Sequence, residues 1–523
     1  MKIISNIYKR LSSRYGIFVV MSVIAIVLIP LWSSQIPPLL DYPNHLARQY
    51  ILSGLQDSEI LQNFYQVEWR VAPYLAIDGI VQVLAKFLTI ETSGKIFLSL
   101  TLFFIAISPI VLNLVLFGRV TPIALMGLLF VHNTTLSLGF VGYLFSIGFA
   151  ICLLAMWIRL REAALWVRLI IFPILSWLLF LSHLIGFSIY ALLVGSYELG
   201  RHLEKNTDYS PRALLSFNSV QRLNLISLTL QFVLPVLIYL VLAPSVETVG
   251  NIMSQNTYGG VWRKIENLGG IFFYLISPYA WTWDRIFSFV LSGMTILLMM
   301  FRIIEVPKRM LWPLAAMLLL YFSMPMALFG GWGADHRLLV PIGLLLAGSL
   351  RIRANTGTRM LWKSAILFIA ILVIVRVATI TVEWRRINDD EYAEYIQAFD
   401  SLADGSKVYY AFGHAGSKKN MWPGPVYHIP HLALMEKQVY VPYLFISELL
   451  PLQYSPAFKS LQHITPGGPV LMNGGSPNWR PLLEEFDFFM LVNEQFFKTP
   501  VPEELDLVFK GEKVRVYMNT ISK

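Results

Sequence analysis

Asp41-Tyr42-Pro43-Asn44-His45-Leu46-Ala47-Arg48 directly follows an apolar segment, Ile17 to Ile36, that is long enough to cross a bilayer. A carboxylate, an imidazole and a guanidinium therefore stand where a membrane helix emerges into water. Ionisable groups are costly to desolvate at that depth, so a cluster of them points to a functional site. Pro43, with Asp41 and Asn44 beside it, is helix-start chemistry. A helix beginning at Asn44 places His45 and Arg48 three residues apart on one face, with Asp41 just ahead of its first turn. Simple capping of that helix is the plain structural alternative for Asp41.

The rest of the chain sets the class. Of its 523 residues 56% are apolar and only 14% charged, the balance of an integral membrane protein. Apolar runs of about 20 residues, the length that spans hydrocarbon, recur along the first 380 positions. The single cysteine, Cys152, lies in one of these runs, so no disulfide framework is available. The net charge of +9 is no nucleic-acid signal: Trp384 to Lys523 carries 16 Asp/Glu against 13 Lys/Arg, and the excess of cations lies in short loops of the preceding part. Topology selection by Lys/Arg produces that distribution.

The basic N-terminus (Lys2, Lys9, Arg10, Arg14) and the basic loops Arg159–Arg168, Arg201–Arg222, Arg302–Arg309 and Arg351–Lys363 are expected on the cytoplasmic side. Placing them there requires eleven crossings, at 17–36, 97–116, 120–136, 142–159, 167–182, 184–199, 224–243, 285–301, 310–328, 337–349 and 361–381. The first is read as an uncleaved helix, since no small-residue cleavage site follows it. Val71–Leu88 contains Asp78 and Lys86 and is placed as a helix lying in or dipping into the outer leaflet. On this topology the first outer loop runs from 37 to 71. A later outer loop, Pro244 to Asp284, has an apolar dip at Ile271–Ile276. Another, Gly330 to Arg337, reads Gly-Gly-Trp-Gly-Ala-Asp-His-Arg as it enters a crossing. His45, His132, His183 and His336 are all expected at the outer face.

The tail reads as a small soluble α/β domain, giving a division into a membrane module at 1–383 and an extracytoplasmic domain at 384–523. Asp389 to Leu402 has helical periodicity, and strands are expected at Lys407–Phe412, Phe486–Val492 and Val514–Met518. The intervening Gly413–Tyr427 loop, with His428 and His431 ahead of a further helix, reads as solvated surface.

An inner N-terminus, a first crossing and a long outer loop that opens with an acid resemble the plan of the GT-C glycosyltransferases. The protein O-mannosyltransferases and the aminoarabinose transferases of lipid A are examples. Asp335-His336-Arg337-Leu338-Leu339-Val340-Pro341 is similar to the Arg-Tyr-Leu-Leu-Pro stretch that opens a late helix in many of them, with Leu338 in place of the Tyr. The first loop departs from their common Asp-Glu pair, because Asp41 is followed by Tyr42. The resemblance implies a multi-spanning α-helical membrane protein of GT-C-like fold with a small C-terminal α/β domain. It also implies transfer of a sugar from a polyprenyl-phosphate donor to a glycan, lipid or protein acceptor at the outer face of the membrane, which the compact loops and the external soluble domain suggest is a bacterial inner membrane.

The residues fit that chemistry on their own terms. The attacking hydroxyl or amine needs a base, for which a carboxylate at the hydrocarbon edge is suited, and Asp41 is the candidate. The departing phosphate needs cations and donors held in place, for which Arg337, Arg48, His45, His336 and His183 are the candidates. Several His and acids on one face leave a divalent metal open, although no HExxH-type spacing supports one. Two other classes compete: a transporter or flippase of lipid-linked glycans, and a non-enzymatic subunit of an envelope polysaccharide machine. Few ionisable residues fall inside the expected crossings, which disfavours a polar transport path.

Overall fold

The computed structural model describes residues 14–69, 71–205, 219–242, 256–269, 281–328, 331–353, 359–414, 424–447, 450–465, 468–471 and 475–521. The basic N-terminal residues Lys2, Lys9 and Arg10 lie outside them, as do most of the basic loop 201–222, the dip at Ile271–Ile276 and most of the loop 413–427. The chain is a membrane-embedded α-helical protein. Helices prevail because a segment in hydrocarbon has to satisfy its own backbone N–H and C=O groups. Among the described residues five helices are long and apolar enough to cross: Ile90–Phe117, Val141–Leu160, Leu165–Ser182, Arg222–Val241 and Ser364–Phe399.

Other expected crossings fall on helices of different form. The segment expected at 120–136 folds as a 3₁₀ stretch, Pro122–Phe130, followed by the single turn Thr134–Ser137. Asn133 ends the first piece by donating to the Phe130 carbonyl at 2.9 Å, and starts the second by accepting from Leu136 N at 2.9 Å. The helix expected at 337–349 is Leu339–Ser349, 11 residues long. Buried Asn113 donates to the Gly348 and Leu350 carbonyls at 3.1 and 3.0 Å, satisfying groups that the helix end leaves open. The segment with Asp78 forms a 10-residue helix, Ala76–Ala85. At about 1.5 Å per residue it spans roughly half of the hydrocarbon, too little to cross.

The chain divides into two compact units, each built from several stretches. One comprises Met1–Ile29, Val71–Ile77 and Leu98–Thr379. Its helices approach closely at small residues, the usual device where lipid supplies no hydrophobic drive between helices. A Cβ at Gly148 of Val141–Leu160 would lie 2.6 Å from the Phe104 carbonyl carbon and 2.8 Å from Ile105 N.

The other unit comprises Pro30–Arg70, Asp78–Phe97 and Ile380–Lys523. It contains a five-stranded sheet of β1 (Val408–Gly413), β2 (Val470–Leu471), β3 (Phe488–Val492), β4 (Leu505–Lys510) and β5 (Val514–Asn519), in the order β4-β5-β3-β1-β2. β1 pairs in parallel with β2 and β3, whereas β5 is antiparallel to both β3 and β4. Val-Tyr-Tyr-Ala-Phe-Gly and Phe-Phe-Met-Leu-Val are buried along their whole length, as strands covered on both faces are. β4, with Asp506 and Lys510, is the more exposed edge. The helix Tyr42–Gly54, here α1, packs into the core of this unit: Ala47 and Ile51 join Phe64, Tyr440, Leu452 and Phe489 in one apolar cluster. Tyr65–Val67 pairs antiparallel with Leu452–Tyr454.

The Gly148 contact is testable. Gly148→Ala sets a methyl against backbone, so the apparent melting temperature in detergent should fall by several degrees, equivalent to about 1–3 kcal/mol. Gly142→Ala meets nothing within 4 Å and should melt with the unaltered protein. Equal melting of all three would show that the helices are not held this close.

Candidate active site

Asp41 occupies the N-cap position of α1, with Pro43 in the first turn, yet its side chain makes no capping hydrogen bond. The carboxylate instead lies 3.6 Å, through Oδ1, from Nε2 of His428, and is 14% exposed. Asn44, one turn further in, is fully buried. Its Oδ1 accepts from Phe445 N at 2.8 Å and its Nδ2 donates to the Tyr443 carbonyl at 3.0 Å. The same Nδ2 lies 3.2 Å from His428 Nδ1 and 3.2 Å from His431 Nε2. The rings of His428 and His431 are 5.0 Å apart, and Phe445 meets both His428 and His45 edge-on at 5.2 Å.

Burial decides the charge state of these rings. It holds His428 well below the usual imidazole range, with His431 and His45 adding to the effect. Burial pushes His431 down to about 4, and pushes His45, with help from Arg48, down to about 3. Three neutral imidazoles thus surround the start of α1. Tyr427 stays protonated to higher pH than usual, first through burial and second through the Asp41 carboxylate.

Arg48 is tied elsewhere. Its guanidinium pairs with Asp78, whose other oxygen accepts from Gln49 Nε2. Gln82 in turn donates to Gln49 Oε1 at 2.9 Å. Arg48, Gln49 and Asp78 are all buried, so this pair fixes α1 to the helix segment carrying Asp78.

In the other unit, Arg337 ends the short helix Ala334–Arg337, entered through Gly333 at φ 75°, a left-handed conformation that glycine takes without strain. Its guanidinium lies 3.7 Å from the centre of the Phe140 ring, and its carbonyl accepts from the Tyr143 hydroxyl at 2.8 Å. The Tyr143 ring also meets His183 edge-on at 5.5 Å, as Tyr74 does at 4.6 Å. His183 Nδ1 accepts from Ile185 N at 3.2 Å, which leaves its proton on Nε2. Fully buried Asp335 pairs with Arg263, from the long loop expected outside. Arg263 Nη1 and Asn267 Nδ2 lie 2.6 and 2.8 Å from His336 Nε2. Both are donors, so that nitrogen accepts and His336 is neutral. Burial is the largest cause of its lowered pKa, reinforced by Arg263 and opposed by Asp335. His132 serves structure, bonding the Val27 carbonyl at 2.8 Å.

Sequence reasoning missed His428, His431 and Asn44 as a group, and Arg263, Lys264 and Asn267 as another. The expectation that the stretch up to His431 is solvated is corrected: His428 and His431 are buried, because α1 packs against them and Tyr410 of β1 meets His431 edge-on at 5.5 Å. Their spacing, His-Ile-Pro-His, was the available signal. Lys264 donates to the Tyr321 and Phe322 carbonyls at 2.9 Å and to that of Met324, collecting the open end of the helix Lys308–Ser323. Among the described residues no group of three or more His, Cys, Asp or Glu is placed to hold a metal ion.

Breaking the Arg48–Asp78 pair tests its structural weight. Arg48→Met strands a buried carboxylate and should cost about 3–5 kcal/mol, read as a lower thermal transition of detergent-purified protein. Arg48→Met combined with Asp78→Leu should recover most of that loss. A single variant as stable as the unaltered protein would contradict the buried pair.

No protein-family model matches this sequence, and no curated protein matches it. The fold does have a solved counterpart, the crystal structure of ArnT from Cupriavidus metallidurans bound to undecaprenyl phosphate. The likeness has a TM-score of 0.54 at 12% identity and covers 97% of this chain and 98% of that one. Along essentially its whole length, the chain therefore shares the fold of that protein.

Proposed function

We propose that this protein is a membrane glycosyltransferase. In this reading it moves a sugar from a polyprenyl-phosphate donor to a glycan, lipid or protein acceptor at the outer face of the inner membrane. The observation that carries the reading is the full-length likeness to a structure that holds undecaprenyl phosphate. The topology that goes with it has eleven crossings, a cytoplasmic N-terminus and an extracytoplasmic α/β region at 384–523.

In the transfer, the acceptor oxygen or nitrogen forms a bond to the anomeric carbon while the bond from that carbon to the phosphate oxygen breaks. The acceptor's proton passes to the Asp41 carboxylate, and the polyprenyl phosphate leaves with the electron pair and one more negative charge. Support for Asp41 as the base is its position at the start of α1 with a carboxylate not spent on capping. Arg337 is assigned to the phosphate. A ring face such as Phe140 takes the flat of a guanidinium, whereas a phosphate takes the N–H groups in its plane, so one side chain serves both. His183 and His336 stand in the same unit as Arg337 and supply neutral donors and acceptors there.

Sugar transfer from polyprenyl-phosphate donors, measured in membranes at matched expression, tests the reading. Asp41→Asn keeps the shape and should lower transfer by about 10²–10⁴-fold, the range for loss of a general base. Undiminished transfer would leave Asp41 without a catalytic role, and no transfer by the unaltered protein over a panel of donors and acceptors would remove the transferase reading. Arg337→Lys keeps the charge but loses the planar fork, and should raise the donor KM roughly tenfold with a smaller change in kcat. An unchanged KM would end the phosphate assignment.

A further inference from the structure

We propose that His428 is a positioning residue for Asp41, holding an N–H toward one carboxylate oxygen so that the other is presented to the acceptor's proton. The proposal rests on the transferase reading above and extends it to a residue from the opposite end of the chain.

The argument starts from the Asn44 amide, whose orientation is fixed by its neighbours. Phe445 N is a donor and can only face the amide oxygen; the Tyr443 carbonyl is an acceptor and can only face the nitrogen. A flipped amide would set donor against donor and acceptor against acceptor in a fully buried place. The group 3.2 Å from His428 Nδ1 is therefore the amide NH₂, which only donates. The two amide hydrogens also face the Tyr443 carbonyl and His431 Nε2, but a proton on His428 Nδ1 would set N–H against N–H, so the ring proton sits on Nε2. That is the nitrogen 3.6 Å from Asp41 Oδ1. The separation is longer than a closed hydrogen bond, as contacts in unliganded active sites commonly are before substrate tightens them.

A donor to the ionised carboxylate stabilises the anion and fixes its rotation, while His428 itself gains and loses no proton. The titratable groups facing this pair keep one charge state near neutral pH. From α1 come His45, held at about 3, and Arg48, whose guanidinium is paired with Asp78. From the 427–431 segment come Tyr427, raised by burial, and His431, held at about 4. Tyr443 meets Asn44 through its carbonyl, and burial raises its phenol. His428 is itself held well below the usual imidazole range by burial. None of these imidazoles or phenols changes charge between pH 5 and 8.

The test is the pH profile of kcat/KM for sugar transfer by full-length protein in detergent, using a polyprenyl-phosphate sugar donor. His428→Phe and His428→Asn remove the donor at the Nε2 position, whereas His428→Gln restores an amide N–H close to it. Loss of the donor destabilises the anion, so the acid limb should move up by about one pH unit, with kcat/KM falling by up to roughly tenfold on that limb and staying nearly unchanged on the plateau above it. Gln should keep the limb near its original place while Asn does not. A limb that stays put in both Phe and Asn, or one that Gln moves as far as Asn does, overturns the proposal. Should Phe fail to fold, the Gln–Asn pair still decides, since the two differ by one methylene. Failure of all three to fold would make His428 a core residue only and would also overturn it. Asp41→Asn separates the two levels. An active wild type and an inactive Asp41→Asn, with unmoved limbs in the His428 variants, sink this inference alone; an inactive wild type sinks the transferase reading.

Discussion

A fully buried primary amide has to find protein partners for two donors and an acceptor, and Asn44 finds them on two separate stretches of chain, 428–431 and 443–445. Each partner left unmet costs about 1–3 kcal/mol, so the first turn of α1, the histidines at 428 and 431, and the backbone at 443–445 are constrained together. Neither stretch explains the other by local propensity. A loop that emerges from the first apolar helix and residues near the end of the chain share a single core because one side chain needs both. Asp41 inherits its position from this arrangement, one residue ahead of Tyr42 and three ahead of the amide.

Charge pairs do comparable work elsewhere within each unit. Arg48 with Asp78 locks α1, and Arg263 with Asp335 locks the helix Val261–Gly269 to the short helix that ends in Arg337. Removing either member of such a pair leaves an uncompensated charge away from water, which makes these pairs devices of registration more than net sources of stability. Lys264, adjacent to Arg263, adds three carbonyls at the end of Lys308–Ser323. Residues 261–269 thus read as a clamp whose cations are spent on holding structure.

Much of this was legible in the letters. Apolar runs and the octet 41–48 pointed to a membrane protein with a helix beginning near Asn44, where the structure has Tyr42–Gly54, and the acid-first loop with Asp335-His336-Arg337 pointed to the GT-C plan. β1, β3 and β5 were readable as strands. What could not be read were pairings over long separations. Nothing in Arg48 says that it meets Asp78, and nothing in Asp335 says that it meets Arg263 in preference to the adjacent Arg337. His428 and His431 sit beside a stretch rich in Gly, Lys and Pro, which reads as solvated; their burial follows from α1 and β1, elements distant in sequence. The 3₁₀ stretch at Pro122–Phe130 was hidden for another reason. Hydropathy scores a segment's composition and not its pitch, while Asn133 breaks the helix through hydrogen bonds that hydropathy ignores.

The neutrality of the imidazoles around Asp41 bears on the chemistry. A cation beside the carboxylate would hold it ionised more firmly than a neutral donor, but it would also lower its basicity and, in the proposed transfer, attract the donor's phosphate. A neutral N–H supplies direction without that competition, because a dipole's field falls off faster with distance than a charge's. Burial is what makes the neutral donor dependable. His428 and His431 lose their charged form to desolvation, and the Asn44 amide then selects which nitrogen of His428 keeps its proton. A histidine in water would offer three protonation states near neutral pH; this one offers a single state, and it points at the carboxylate.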